Sequence, residues 1–285
     1  MLFIKIKVIN MSKENIKIHV LNRIKSIEIN KYPFYNIYIE NIFPETFYEK
    51  LKKRMLHYKY NSPLENRNWD NPDFMNKKIN LNKIEDDIID TVKVIFDDIE
   101  IKQSFIEKFY INPNFIDEIV FKHDLQFVFT EKNRFQKIHT DIPAQFVSVV
   151  FYLPEDDNIS EYDELNNGTI LYDKGLKPIK VSKFKGNSVS CFAPHFYSYH
   201  GFNTTINNRN TMMFFYAQKD LIKRFYDNSK NQNGEQNVDL FKNVIQWKIT
   251  KYRLIEYGKD DMVFLTKLLN EKNDCKIDML NGRIE

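Results

Sequence analysis

Two histidines and one carboxylate in this chain have the spacing of a mononuclear metal site. His139 and Asp141 stand two positions apart in the segment 135–141, which we predict to be extended. Alternate side chains of a strand point to the same face, so this imidazole and this carboxylate can reach one ion. His200 supplies a second imidazole from later in the chain. Two histidines with one carboxylate are the ligand set of non-haem Fe(II) sites, which keep coordination positions open.

A site for an organic carboxylate is predicted shortly after the second histidine. Arg209 and Thr211 are again two positions apart, at the start of an apolar segment. A guanidinium can hold a carboxylate through two parallel hydrogen bonds, and a hydroxyl on the same face of a strand adds a further donor. The sequence therefore predicts an anion site close to the metal site.

Each of these residues also has an ordinary structural interpretation. His139 can be a half-buried strand histidine, and Asp141 can be a turn residue before Pro143, since aspartate favours turns. His200 can be a packed or solvated histidine, and Arg209 a solvated loop residue. The metal interpretation is favoured because the residues occur together in this order, each on a predicted strand.

The order and spacing resemble those of the 2-oxoglutarate and Fe(II)-dependent oxygenases. In this resemblance His139, Asp141 and His200 match the iron ligands, while Arg209 and Thr211 match the residues that bind the distal carboxylate of 2-oxoglutarate. Two longer stretches are also similar to the family. They are His-Thr-Asp-Ile-Pro at 139–143 with Val-Val-Phe-Tyr-Leu-Pro at 149–154, and the N-terminal segment 33–45. The similarity extends over residues 32–219 and does not include the C-terminal remainder.

The resemblance implies an enzyme that uses Fe(II), with 2-oxoglutarate and O2 as co-substrates. Such an enzyme oxidises an unactivated C–H bond and releases succinate and carbon dioxide. In the related halogenases a small residue replaces the carboxylate ligand, so that chloride can bind the iron. The presence of Asp141 therefore favours hydroxylation, or another oxidation, over halogenation.

Two further histidines compete for the role of second imidazole ligand. His195 lies five residues before His200, and His123 precedes the first predicted core strand. We prefer His200 because its distance from Arg209 matches the family. His195 instead fits a connecting turn, and His123 fits a solvated turn.

The composition argues against a nucleic-acid or membrane partner. Lysine and arginine number 42 against 39 acidic residues among 285, and a net charge of +3 is a poor basis for binding nucleic acid. No segment approaches the roughly 18 apolar residues of a membrane span. Cys191 and Cys275 have no metal-type spacing, which favours a reduced, cytoplasmic protein.

The proposed ligands need a framework of strands, and the sequence predicts eight of them. Short apolar segments alternate with turn signals such as Asn-Asn-Gly at 166–168 and Lys-Gly-Asn at 185–187. Eight short strands at this spacing predict a double-stranded β-helix, the cupin-like jelly roll, in a mainly β fold with flanking helices. The predicted strands are 125–130, 135–139, 145–153, 168–172, 179–184, 188–192, 198–202 and 211–218.

The other segments are predicted as additions to this core within a single domain. Residues 1–31 are an N-terminal extension, 32–124 hold a strand over 33–42 and then helices, 125–219 are the core, and 220–285 are a C-terminal helical extension. Helices are predicted from Pro44, over 84–95, 103–110, 238–252 and 260–269, whereas 16–29 fits either a helix or a strand pair. The aperiodic segment 57–83 is predicted as a long loop. The C-terminal helices could pack on the core or form a homodimer.

Candidate substrate contacts lie on the first core strands and in the long loop. The resemblance implies that this loop covers the mouth of the site. The candidates are Gln126, Val128, Arg134, Gln136 and Phe151 on or near the strands, with Arg67 and Trp69 in the loop. Helical additions at both ends predict a covered pocket, and hence a small-molecule substrate such as an amino acid or a related metabolite. A peptide or protein hydroxylase and a non-catalytic, metal-binding cupin-like module are the alternatives.

Overall fold

Two antiparallel sheets form the framework of the described chain. The computed structural model describes residues 12–66, 76–112, 114–141, 144–195, 197–203 and 205–218, together with 248, 254–255, 277–278 and 283–284. The strands are β1 (Asn36–Glu40), β2 (Glu65–Asn66), β3 (Asn76–Asn80), β4 (Ile119–Thr130), β5 (Gln136–His139), β6 (Gln145–Tyr152), β7 (Thr169–Tyr172), β8 (Pro178–Ser182), β9 (Ser188–Phe192), β10 (His200–Phe202), β11 (Arg209–Gln218), β12 (Ile277–Asp278) and β13 (Arg283–Ile284).

The larger sheet has the order β1-β9-β6-β11-β4-β3-β2, the smaller sheet has the order β5-β10-β7-β8, and β12 pairs with β13. Hydrogen bonds join the two main sheets across the space between them. The Tyr152 hydroxyl donates to Thr169 Oγ1 at 2.7 Å, and the hydroxyl oxygens of Ser182 and Ser190 are 2.9 Å apart. The sheets are therefore stacked, as in a jelly roll.

Four of the five described helices begin where an aspartate or serine side chain accepts their first N–H groups, whereas the helix Glu45–Asn61 begins after Pro44 without such a cap. The described helices are α1 (Lys13–Ser26), α2 (Glu45–Asn61), α3 (Asp87–Asp97), α4 (Ile99–Phe109) and α5 (Glu161–Asn166). Asp86 Oδ1 accepts from the backbone N–H groups of Ile88 and Ile89, and Asp98 Oδ1 accepts from that of Glu100. Because these aspartates cap the helices, α3 begins later than the predicted residue 84, and α4 begins earlier than the predicted residue 103.

One side of the larger sheet packs against these helices. The ring of Phe96 on α3 lies 5.3 Å from the ring of Phe151 and 5.0 Å from that of Phe214, between centroids. Phe43 stacks on Phe151 at 5.4 Å. We call this side the helix face, and it carries Phe127, Val149, Phe151, Met212, Phe214 and Tyr216. Because strand side chains alternate, the neighbouring residues in sequence point toward the smaller sheet.

The structure confirms the predicted fold class and contains all eight predicted core strands. Residues 16–29, left open between helix and strand, mostly form α1, which ends at Ser26. The predicted burial of Phe47, Leu51 and Met55 along α2 is also confirmed.

Two sequence predictions about segments before the core are wrong. His123 does not lie in a turn: β4 begins at Ile119, and His123 pairs with Phe215 of β11. The segment 57–83 is not one long loop, because α2 continues to Asn61 and β3 pairs with β4 along its length. Cross-strand pairing with a long central strand stabilises β3 despite its polar sequence.

Several predictions fall outside the described residues. Apart from Lys248, the predicted C-terminal helices over 238–252 and 260–269 lie there, and with them the proposed dimer contact. The division of the chain at residues 31, 124 and 219 stays a prediction. Within the described ranges, no helix combines the length and the apolar character needed to cross a bilayer.

Candidate metal centre

The two predicted histidine ligands are brought together by the pairing of β5 with β10. His139 and His200 are direct partners in this pairing, and their ring centroids are 4.2 Å apart. Asp141 Oδ1 lies 3.7 Å from His139 Nε2 and 3.6 Å from His200 Nε2. The three potential ligand atoms all lie within 4.8 Å of one another. His139 on β5, His200 on β10 and Asp141, just after the end of β5, therefore converge on one point.

Hydrogen bonds to the backbone determine which nitrogen each imidazole offers. His139 Nδ1 lies 2.9 Å from the carbonyl oxygen of Lys137, and His200 Nδ1 lies 2.9 Å from that of Ser198. A carbonyl oxygen can only accept, so each Nδ1 carries a proton, and in the neutral imidazole each Nε2 is then left with the lone pair. Both lone pairs belong to the nitrogens that face Asp141. This orientation of histidine by a backbone carbonyl is typical of metal ligands.

The carboxylate is oriented by a serine of the neighbouring strand. Ser148 Oγ on β6 donates to Asp141 Oδ2 at 2.5 Å, and it also lies 3.3 Å from Gln145 Oε1. Because Oδ2 accepts this bond, Oδ1 is the oxygen turned toward the two imidazoles. Ser148 is itself buried, so the bond holds the carboxylate in one orientation.

Gly201 allows β10 to approach β5 closely at this point. A Cβ atom on Gly201 would lie 2.7 Å from the carbonyl oxygen of Gln136 and 3.1 Å from that of Lys137. Both contacts are with backbone, which cannot turn aside as a flexible side chain can. The spacing of the two imidazoles therefore depends on a residue without a side chain.

Gln136 is the predicted substrate contact that comes nearest to the candidate metal ligands. Its Nε2 lies 3.0 Å from His139 Nε2. Since that imidazole nitrogen carries a lone pair, the amide donates to it. Gln136 therefore contacts the same atom that a metal ion would use.

Arg209 is a buried cation on the side of the larger sheet that faces the smaller sheet. Its Nε donates to the carbonyl oxygen of Asn167 and its Nη2 to Thr169 Oγ1, both at 2.9 Å, and its guanidinium lies over the ring of Phe202 at 4.4 Å. Among the described residues, no carboxylate lies within ion-pair distance of it. Burial lowers the pKa of the guanidinium, with Tyr152 acting in the opposite direction, although arginine stays charged at ordinary pH. A buried cation without a carboxylate partner favours an anionic ligand.

The three candidate metal ligands and Arg209 line one pocket between the two sheets. We call the side of the larger sheet that lines it the pocket face, and it carries Val128, Thr130, Val150, Arg209, Thr211 and Met213. Thr211 thus lies where predicted, two residues from Arg209 on the same face. Thr130 was not predicted from the sequence: its buried hydroxyl has no hydrogen-bond partner among the described residues. Only the register of β4 against β11 reveals it.

The structure separates the predicted substrate contacts into three groups. Gln136 and Val128 line the pocket, whereas Gln126 and Arg134 do not. Phe151 lies on the helix face, stacked on Phe43, so the structure does not bring it to the pocket. Arg67 and Trp69 lie outside the described residues.

His195, the rival ligand, is held in the turn between β9 and β10. Its backbone N–H donates to Ser198 Oγ at 2.9 Å, and its Nδ1 accepts from the N–H of Tyr197 at 3.1 Å. Its ring lies edge-on to Phe34 at 5.9 Å. The described cluster of potential ligands contains His139, Asp141 and His200 and does not include His195.

Lys248 is a buried lysine that the sequence did not single out. Its amine donates to the carbonyl oxygens of Gln145 and Pro194 and lies 5.1 Å above the ring of Phe146. Burial lowers the pKa of this amine well below its ordinary value, while the carboxylate of Asp141 acts in the opposite direction. The amine therefore ties the start of β6 to the turn after β9.

Comparison with known proteins identifies the fold. No protein-family model matches the sequence, and no curated protein matches it. A crystal structure of a prolyl-4-hydroxylase from Pseudomonas putida superposes with a TM-score of 0.52 at 10% identity, covering 72% of this chain and 100% of that one. The chain has the fold of the 2-oxoglutarate and Fe(II)-dependent oxygenases.

Two further solved structures are similar at lower TM-scores. A Trichoplax adhaerens prolyl hydroxylase, in complex with a peptide fragment of hypoxia inducible factor, has a TM-score of 0.49 at 12% identity and covers 73% of this chain and 91% of that one. An oxidoreductase of the 2OG-Fe(II) oxygenase family from Burkholderia pseudomallei has a TM-score of 0.44 at 14% identity, with coverages of 73% and 91%.

Proposed function

We propose that this protein is a 2-oxoglutarate- and Fe(II)-dependent oxygenase that oxidises a C–H bond of its substrate. The observation that carries the proposal is one pocket lined by three convergent ligand side chains and by a buried arginine. In this proposal His139, Asp141 and His200 hold the iron. Arg209 and Thr211 hold the distal carboxylate of 2-oxoglutarate.

The donor set suits Fe(II). Two neutral imidazoles offer Nε2 lone pairs, and one carboxylate oxygen faces them, as in the two-histidine, one-carboxylate sites of non-haem iron enzymes. Three protein ligands on one side of an ion leave its other side for co-substrates. The carboxylate ligand also supports hydroxylation or a related oxidation rather than halogenation.

The arginine suits 2-oxoglutarate. The contacts with Asn167 and Thr169 use two of the five N–H groups of the guanidinium, so the fork retains donors for an incoming carboxylate. A dicarboxylate would also supply the negative charge that the described surroundings of Arg209 lack.

The roles of the chain are to bind, to orient and to exclude water. When bound, the iron supplies the oxidising chemistry together with 2-oxoglutarate and dioxygen, and succinate and carbon dioxide are the co-products. Lys137 and Ser198 orient the imidazoles through their carbonyl oxygens, and Ser148 orients the carboxylate. The stacked sheets keep both imidazoles and Arg209 away from bulk water.

Anaerobic titration with Fe(II) and then with 2-oxoglutarate tests this proposal. We expect a weak visible absorption band when the keto acid chelates the iron, and succinate formation when oxygen is admitted. Arg209→Leu should remove the band at 2-oxoglutarate concentrations that saturate the native chain. A non-catalytic cupin-like module would retain metal without forming the band, and that result would refute the enzyme proposal.

For the substrate, we propose a peptide, with the class predicted from the sequence, a small molecule such as an amino acid or a related metabolite, as the second candidate. The expectation of a covered pocket rested on the helical additions. Ring contacts from Phe96 and Phe105 place α3 and α4 on the helix face, on the opposite side of the larger sheet from the pocket. Those helices therefore do not cover the site.

An open groove beside β5 favours the peptide candidate. Its lining consists of Phe135, Gln136, Lys137, Ile138, Tyr172, Phe202 and Asn203. Gln136 and Phe202 also line the metal pocket, so the groove leads to the ligands. Among the described strands β5 is one of the two edge strands of the smaller sheet, and edge strands can pair with extended peptides.

Substrate-stimulated succinate formation distinguishes the two candidates. A panel of amino acids and related metabolites is compared with a library of short peptides at equal concentration. If peptides are the substrates, Ile138→Asp should reduce peptide-stimulated turnover roughly tenfold by removing an apolar contact. The same variant should leave substrate-free consumption of 2-oxoglutarate unchanged. Stimulation by metabolites alone, unaffected by Ile138→Asp, would support the small-molecule candidate.

A further inference from the structure

Thr130 is a buried threonine whose hydroxyl has no hydrogen-bond partner among the described residues. Its side chain is 1% exposed and lies at the end of β4, on the pocket face. A buried hydroxyl without a partner is costly, because it has given up its hydrogen bonds with water. The fold retains this cost at one position in the pocket.

Thr130 stands directly opposite Arg209. The two residues are partners in the β4–β11 pairing, which places their Cβ atoms about 4.5–5.5 Å apart. Thr211 on the same strand pairs with Val128, the next pocket-facing residue of β4. Thr130 is thus the pocket-facing residue of β4 that neighbours Arg209 across the strand pair.

Another threonine near Arg209 already has its contacts. Thr169 Oγ1 accepts from Arg209 Nη2 at 2.9 Å and from the Tyr152 hydroxyl at 2.7 Å. Thr169 therefore positions the arginine. Thr130 makes no such contact with a described residue, so its donor remains for a molecule that enters the pocket.

We propose that Thr130 donates a hydrogen bond to the distal carboxylate of 2-oxoglutarate, beside the bidentate contact from Arg209. This inference rests on the proposed function and adds to it a third recognition residue, from β4 rather than β11. The Thr130 hydroxyl then lacks a hydrogen-bond partner among the described residues because the site is preorganised for a carboxylate. The bound 2-oxoglutarate would accept this hydrogen bond.

Isosteric replacement of Thr130 tests the proposal through two measurements: the thermal stability, which should rise, and the affinity for 2-oxoglutarate, which should fall. Thr130→Val removes the hydroxyl and keeps the shape. In the chain without metal or co-substrate, we expect the midpoint of thermal unfolding to rise by roughly 2–4 °C, because an unsatisfied polar group is removed. Under anaerobic conditions with Fe(II), we expect the affinity for 2-oxoglutarate to fall roughly 10–100-fold, as for the loss of a hydrogen bond to a charged group.

Two controls isolate the hydroxyl and the carboxylate. Thr130→Ser keeps a donor and should bind 2-oxoglutarate within a few-fold of the native chain. Thr91→Val removes a buried hydroxyl that does have a partner, the carbonyl oxygen of Asp87 at 2.7 Å, so it should lower the unfolding midpoint and leave binding unchanged. As a ligand control, 2-oxopentanoate has the same chain length without the distal carboxylate. Its affinity should be the same for the native chain and for Thr130→Val.

The outcomes separate this inference from the proposed function. If the native chain binds no 2-oxoglutarate, both fail. If the native chain binds it and Thr130→Val binds it equally well, only the role of Thr130 fails. A lower unfolding midpoint for Thr130→Val with unchanged binding would show a structural hydroxyl, and equal losses of affinity for both keto acids would show a general disturbance of the pocket. Each of these results overturns the inference.

Discussion

The two faces of the larger sheet carry residues of very different character on the same strands. On β11, Met212 and Phe214 pack on the helix face, while Arg209, Thr211 and Met213 line the pocket face. On β6, Phe151 stacks on Phe43, while Ser148 on the other side bonds to Asp141. Alternation along a strand thus separates burial of aromatic rings from presentation of polar groups.

This difference teaches that stability and chemistry can be changed nearly independently in this fold. The helix face has rings that contact other rings at 5.0–5.4 Å, and its energy comes from apolar burial. The pocket face has a buried cation without a described carboxylate partner and an unsatisfied hydroxyl, both of which cost stability. Residues next to each other in sequence should therefore give opposite phenotypes.

The largest effect is expected at the proposed metal ligands. His200→Ala removes one of three ligands and should abolish retention of iron after gel filtration, measured by a colorimetric iron assay. His195→Ala is the matched control, because this imidazole lies five residues away in a turn and outside the ligand cluster. Retention of iron by His200→Ala together with its loss in His195→Ala would reverse the assignment.

On the helix face, Phe151→Ala should lower the free energy of unfolding by about 3–5 kcal/mol, because it leaves a cavity between Phe43, Phe96 and Phe214. Denaturant unfolding measures this change. The affinity for 2-oxoglutarate should stay within a few-fold below the unfolding transition. Val150→Ala, the neighbour on the pocket face, should cost less stability because its side chain is only half-buried. A selective loss of 2-oxoglutarate binding in Phe151→Ala would contradict the separation of the faces.

An intermediate effect is expected when the guanidinium fork is removed and the charge is kept. Arg209→Lys should lower the affinity for 2-oxoglutarate roughly 10–100-fold in anaerobic titrations, because an ammonium group cannot make the parallel pair of hydrogen bonds. Arg23→Lys is the control: Arg23 also donates from Nε and Nη2, but to the carbonyl oxygen of Glu40, near α1. The Arg23→Lys variant should bind 2-oxoglutarate with the same affinity as the native chain.

The smallest effect is expected at the serine that orients the carboxylate. Ser148→Ala removes the bond to Asp141 Oδ2 and should weaken metal affinity about tenfold, since residues that orient metal ligands typically contribute 10–100-fold. Competition with a coloured chelator measures the change. Ser104→Ala removes a comparable buried hydroxyl from α4 and should leave metal affinity unaltered. Equal metal affinity in Ser148→Ala and the native chain would mean that Asp141 needs no such partner.

The sequence was sufficient to predict the fold class and the convergence of the ligands. Strand segments with turn signals between them are local patterns, and the spacing of His139 and Asp141 ensures a shared face once the strand forms. The partner of His139 in β10 could be inferred only from family resemblance, because pairing between distant strands leaves no mark in a single sequence.

Other features could not be predicted because they depend on strand parity and register. Phe151 was placed in the pocket, but a shift of one residue along β6 moves a side chain to the other face, and Val150 occupies that place. Thr130 is notable only because β4 pairs with β11 so that it faces Arg209. The polar strand β3 lacks any alternating apolar pattern, and its pairing with β4 is what makes it a strand.

The close approach of β10 to β5 at Gly201 links binding of a metal ion to the stability of the edge of the smaller sheet. β5 is four residues long, and among the described strands only β10 borders it. One proposed ligand lies on each of these strands, so a bound ion would act as a crosslink that fastens a short outer strand to its neighbour. Backbone amides of β5 should then exchange with solvent faster in the metal-free protein than in the loaded protein, while those of β11 change little.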